Sequence, residues 1–165
     1  MGSEKIDKLK DLHLETDLAR VAKIVVPDAD DWKPHADRLR DLIGPYCGGG
    51  PVVATDEGPS IEGLKDGHWV LLGSAMNNPA IMALYRRNYA FVDDFYPGGN
   101  GYALRTIHNP ENQGHNVLMV GGSCPEGAAS GLDQLERMLG SGSPLGQINI
   151  ARAAACETGQ QVHMT

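Results

Sequence analysis

The residues best able to do chemistry in this chain gather at one short stretch, Gly121-Gly122-Ser123-Cys124-Pro125. A serine and a cysteine stand there between an apolar run and a helical pattern, so both sit at a helix start. Backbone N–H groups at such a place can hold an anion, and the same field favours a thiolate. A nucleotide site would read GxxxxGK[ST] or GxGxxG; this stretch reads as neither and lacks the lysine. A tight strand-to-helix turn accounts for the two glycines without any ligand. A nucleophilic Cys124 needs a base, and His108 and His115 are the candidates. His115 begins the strand that leads to Cys124, and five or six extended residues hold them roughly 17–20 Å apart. A Cys124–His115 dyad is therefore excluded, and Cys124 reads as an inert thiol.

Other groups yield less. Asp93-Asp94 suggests a glycosidase carboxylate pair, but adjacent residues on an extended segment point to opposite faces and cannot flank one bond. The six histidines, at 13, 35, 68, 108, 115 and 163, show no HxH or HExxH spacing, so no metal is expected. Cys47, Cys124 and Cys156 are far apart with no CxxC, which gives neither a zinc knuckle nor a disulfide framework. No cofactor motif is present. Phe91, Phe95, Tyr96 and Tyr102 surround the turn Pro97-Gly98-Gly99-Asn100-Gly101. Such aromatics close a core, dock a neighbouring domain, or stack on a sugar ring. In the last case Tyr96, Asn100, Tyr102 and Ser123 would be the ligand-binding residues.

Composition narrows the partners. The 165 residues carry a formal net charge of −7, which argues against nucleic acid, whose phosphates need a basic face. It gives no reason to expect an anionic membrane surface either. No apolar run approaches the ~20 residues of a membrane span, and the charged start MGSEKIDKLKDLHLE lacks the apolar core of a signal peptide. The length suits one domain with tails.

The elements that must position these residues follow from apolar runs and prolines. Lys23-Ile24-Val25-Val26-Pro27 reads as a strand, with Asp28 to Asp31 capping a helix in which Trp32, Ala36, Leu39 and Ile43 make one stripe. Pro51 to Ala54 reads as a short edge strand. Strand 69–73 leads to a helix capped by Asn77 or Asn78 with Pro79 at its start, its inner face formed by Ile81, Leu84, Tyr85 and Tyr89. Strands 102–108 and 116–121 flank a hairpin loop at 109–114 and are expected to pair antiparallel. Ser123 as N-cap with Glu126 three residues on makes a capping box, ahead of a helix over 125–139 with Leu132, Leu135 and Leu139 on one face. Residues 1–20 read as a lead-in, 21–140 as the domain, and 141–165 as a linker or the start of a following segment.

The order of IVVPDADDWKPHADRLRDLI, PVVATDE, WVLLGSAMNNPAI, GYALRTI and NVLMVGGSCPEGAASGLDQLERML resembles one family over roughly residues 20 to 140. It is similar to the small α+β domain that precedes the catalytic barrel in glycoside hydrolases of the β-hexosaminidase, α-glucuronidase and α-N-acetylglucosaminidase types. The most specific pieces are the Gly-Tyr-x-[Leu/Ile]-Arg-Thr strand, Gly101 to Thr106, and the Gly-Gly-Ser turn before a glycine-containing helix. Ser130-Gly131-Leu132 departs from the family's Leu-Tyr-Gly-Val pattern. The resemblance implies an α+β fold: a four- to five-stranded, mostly antiparallel or mixed sheet with two to three helices on one face. It implies no catalytic role, and as partner the catalytic module of a parent enzyme, against which Trp69 and Tyr102 would offer an apolar contact. Glycan binding is the alternative, and a small stand-alone hydrolase using Cys124 or Ser123 a third reading.

Overall fold

A computed structural model describes residues 15–48, 50–55 and 61–154. His13, His163, Cys156, most of the lead-in and residues 155–165 of the tail lie outside the described residues. Six strands and three α-helices follow in chain order: β1 (Val21–Val25), α1 (Lys33–Ile43), β2 (Val52–Ala54), β3 (His68–Gly73), α2 (Pro79–Arg86), β4 (Tyr102–Ile107), β5 (Val117–Gly122), α3 (Pro125–Leu139) and β6 (Asn149–Arg152). The strands form one mixed sheet in the order β2-β1-β3-β5-β4-β6. From β2 to β5 the pairing is parallel, and β4 runs antiparallel to both β5 and β6. The 109–114 hairpin makes β4 and β5 neighbours as expected, and β2 is an edge.

The helices are not all on one face. Alternate strand residues, among them Ile24, Val70, Leu104 and Val120, pack with Leu39 and Ile43 of α1 and Leu132 and Leu135 of α3. The residues between them, such as Val25, Leu71 and Met119, pack with Ile81 and Leu84 of α2 on the opposite face. Continuous apolar runs such as Trp69-Val70-Leu71-Leu72 are the mark of strands covered on both sides, whereas a sheet with helices on one face calls for alternation. Trp69 belongs to that second core and is buried, so it offers no surface to a partner.

The sixth strand lies where a linker was expected. Leu145 and Ile148 are buried in the first core, and Thr16 and Leu145 exchange backbone hydrogen bonds of 2.8 and 3.0 Å. Asn149 to Arg152 then pair with Arg105 to Tyr102. Asn149, Ala151 and Arg152 are exposed, so this edge strand has no apolar run to announce it.

Helix starts also differ from expectation. The N-cap of α1 is Trp32, which makes no side-chain cap bond; Asp30 instead pairs with Lys33 at 2.6 Å. At α3 the N-cap is Cys124, with Pro125 in the first position, so the Ser123–Glu126 capping box is not formed. Asn78 caps α2 as expected. Its Oδ1 accepts from the N–H groups of Ala80 and Ile81, and its Nδ2 donates to the carbonyls of Leu72 and Val25. One buried amide thus ties β1, β3 and α2 together.

Candidate functional site

Ser123 and Cys124 are both engaged by the turn that the aromatics surround. The Gly98 N–H donates to Ser123 Oγ at 3.0 Å, and the Cys124 thiol donates to the Gly99 carbonyl at 2.7 Å. Burial pushes the Cys124 thiol up, and the neighbouring Glu126 carboxylate adds to this. Both effects oppose the thiolate that nucleophilic chemistry needs. The glycines serve close packing here. A Cβ on Gly122 would stand 2.5 Å from the Ala128 nitrogen, and one on Gly127 would stand 2.3 Å from the Gly101 carbonyl oxygen. Their absence lets α3 and the 98–101 turn press together across the end of β5.

His68 and His115 serve structure as well. His68 is buried at the start of β3, where its Nδ1 accepts from the Asn116 N–H at 2.8 Å, and its ring meets that of His115 edge-on at 5.5 Å. His115 precedes β5 and Cys124 follows it, as the strand argument requires. Among the described residues no group of three or more His, Cys, Asp or Glu is placed to hold a metal ion.

Asp93 and Asp94 take different parts. Asp93 Oδ1 accepts from the N–H groups of Phe95 and Tyr96 at 2.8 and 2.9 Å, and its Oδ2 accepts from the Tyr85 hydroxyl at 2.9 Å. The Tyr96 and Phe95 backbone donors hold the Asp93 carboxyl below the usual carboxylate range. The same carboxylate pushes the Tyr85 hydroxyl up. The loop is tied further along as well, since Asp93 N–H donates to Tyr96 O and Ala154 N–H to Pro97 O. Asp94 is exposed. Asp93 is therefore a loop clasp, and Asp94 shares none of its partners.

This clasp presents aromatics to solvent. Phe95 is 92% exposed, Phe91 52% and Tyr96 43%, whereas Tyr102 is only 6% exposed and packs into the first core. Of the four residues proposed for ligand binding, Tyr96 is available, Asn100 is exposed on the turn, Ser123 is engaged with Gly98, and Tyr102 is enclosed. Strand alternation explains Tyr102: Gly101 ends the turn, and the next side chain points to the α3 face.

A hollow of about 360 Å³ opens beside Phe91 and Tyr96, over β5, β4 and β6. Its floor comes from the sheet register. Gly121, Ala103 and Ala151 lie in one row across the three strands, and Met119, Arg105 and Asn149 in the next row on the same face. Small residues in the first row leave space, part of which the Val92 side chain fills over Gly121. Arg105 and Asn149 also line a second, more polar hollow of about 260 Å³, with Tyr89, His108 and Gln147. Arg105 was legible only as part of the Gly-Tyr-x-Leu-Arg-Thr strand; its place on a face shared with Ala103 was the signal that could have marked it. Neither a protein-family model nor a curated protein matches this chain.

Proposed function

We propose that this chain is a non-catalytic accessory domain of a carbohydrate-active enzyme, which works by contact and helps to stabilise or orient a catalytic module. The observation that carries this reading is the Asp93-clasped loop that holds Phe95 almost wholly in water. An apolar ring carried into solvent on a backbone held by hydrogen bonds is a partly preorganised contact, because the loop backbone has little freedom left to lose when a partner covers it. The engaged states of Ser123 and Cys124 support the absence of turnover. A panel of chromogenic glycosides tests it: the chain is expected to leave all of them intact. Turnover that vanishes in Cys124→Ala or Ser123→Ala would overturn the reading in favour of a small hydrolase.

A second reading, glycan binding, is favoured by the hollow beside the same loop. Its volume falls in the range of roughly 300–1,000 Å³ usual for small-molecule sites, and Phe91 and Tyr96 form its aromatic side.

A further inference from the structure

We infer that the paired hollows over β4 and β6 bind an acidic oligosaccharide, with a carboxylated pyranose, a uronate residue, seated in the larger one against Arg105. This rests on the glycan-binding reading and specifies its ligand. Three features converge. Phe91 and Tyr96 supply the ring faces on which the C–H face of a pyranose packs, while the Ala103–Ala151 floor gives it depth. The Asn149 side chain, beside Arg105 in the register, offers both a donor and an acceptor for ring hydroxyls.

Arg105 decides the charge of the ligand. Arg38 and Arg40 each meet acidic side chains, as does Arg87, which pairs with Glu111. Among the described residues no carboxylate meets Arg105; the same holds of Arg20, Arg86, Arg137 and Arg152, but of these only Arg105 lines the two hollows. It sits half-buried in a largely apolar hollow, where a guanidinium is best matched by a planar anion bound through two hydrogen bonds. A uronate carboxylate fills that role while its ring meets the aromatics. The second hollow shares Arg105 and Asn149 and is lined by Tyr89, His108 and Gln147. Continuity past the cation into a polar hollow suits a chain of sugar units better than a single ring.

The test is calorimetric titration of the whole chain with trigalacturonate, cellotriose and a tetraglutamate peptide at matched concentrations. Trigalacturonate is expected to bind about tenfold or more tighter than cellotriose, the scale of one charge-assisted hydrogen-bonded pair. Arg105→Gln should bring the two sugars to within about twofold of each other, and Tyr96→Ala should weaken both, by the loss of aromatic packing. Val52 is exposed on β2, at the opposite edge of the sheet, so Val52→Ser should leave affinity unchanged. Cooperative melting of each variant at the parent temperature shows that the fold is kept. Equal binding of the two sugars would overturn the acidic preference and leave glycan binding standing. Binding to neither sugar would overturn both readings. Tetraglutamate binding as tightly as trigalacturonate would overturn the sugar assignment and point to an acidic protein segment.

Discussion

In the unit formed by β3 and α2, the turn residue Asn78 makes four hydrogen bonds of its own. In the unit formed by β5 and α3, the corresponding Cys124 makes none to its helix, and another segment completes the turn. The two stretches, WVLLGSAMNNPAI and NVLMVGGSCPEGA, are built alike: apolar run, glycine turn, proline at the first helical position. Their helices nevertheless cover opposite faces of the sheet. In the first, a buried amide on the turn itself satisfies strand and helix ends, including the Val25 carbonyl of β1. In the second, glycines clear the way for the 98–101 turn, so the aromatic loop is built into the helix start. One unit is closed by its own turn residue. The other carries the candidate site.

The largest expected effect breaks the unit closed by Asn78. Asn78→Ala removes a helix cap and leaves the Leu72 and Val25 carbonyls without their amide donor. A loss of about 2–3 kcal/mol in urea unfolding is expected from cap removal plus unsatisfied buried carbonyls. A loss under about 0.5 kcal/mol, the range of surface substitutions, would mean that the two units are not wired differently after all.

A smaller effect concerns the loop that serves the second unit. The folded Asp93 carboxyl titrates below its ordinary value, so its contribution to loop order is complete above the unfolded range of about 3.9. It is lost as pH falls through the lower, folded value. Amide NMR shifts of Phe95 and Tyr96 should therefore stay constant down to about pH 4 and change only below it. A midpoint at or above the ordinary aspartate value would show that the carboxylate does not hold the loop.

The smallest effect is expected at Cys124. Its thiol is a weak donor, and Cys124→Ala should alter unfolding free energy by no more than about 0.5 kcal/mol. A change as large as that of Asn78→Ala would make the two turns equivalent and remove the contrast.

Most strands and the three helices were legible because proline, glycine and apolar runs are local signals, although the caps of α1 and α3 were not. Val117 to Val120 and Pro79 are examples, and both elements form where expected. What a run such as Val117-Leu118-Met119-Val120 does not say is which helix covers which side. That depends on where α2 lands, through contacts between β1 and β3 remote in sequence. β6 was illegible for another reason: its stability comes from pairing with β4 and from Leu145 and Ile148 before it, not from its own Asn-Ile-Ala-Arg. At the site, Tyr96 and the loop aromatics could be read directly. Tyr102 could not, since its inward direction follows from the strand beginning just after Gly101. Arg105 lay in plain view, with Met119 opposite it across the expected hairpin, but its other neighbour in the register, Asn149, comes from the unannounced β6.

β6 also bears on how such a domain can diverge. Asn149 and Ala151 wall the hollow from an edge strand, with their side chains largely in water. Substitutions at exposed positions of this kind usually change stability by less than about 0.5 kcal/mol. The groove can therefore acquire a new lining through single inherited changes that the rest of the fold scarcely registers. Arg105, anchored one strand further in between β5 and β6, stays fixed while its surroundings drift. Selection acting on ligand preference would thus find its raw material in the last strand first.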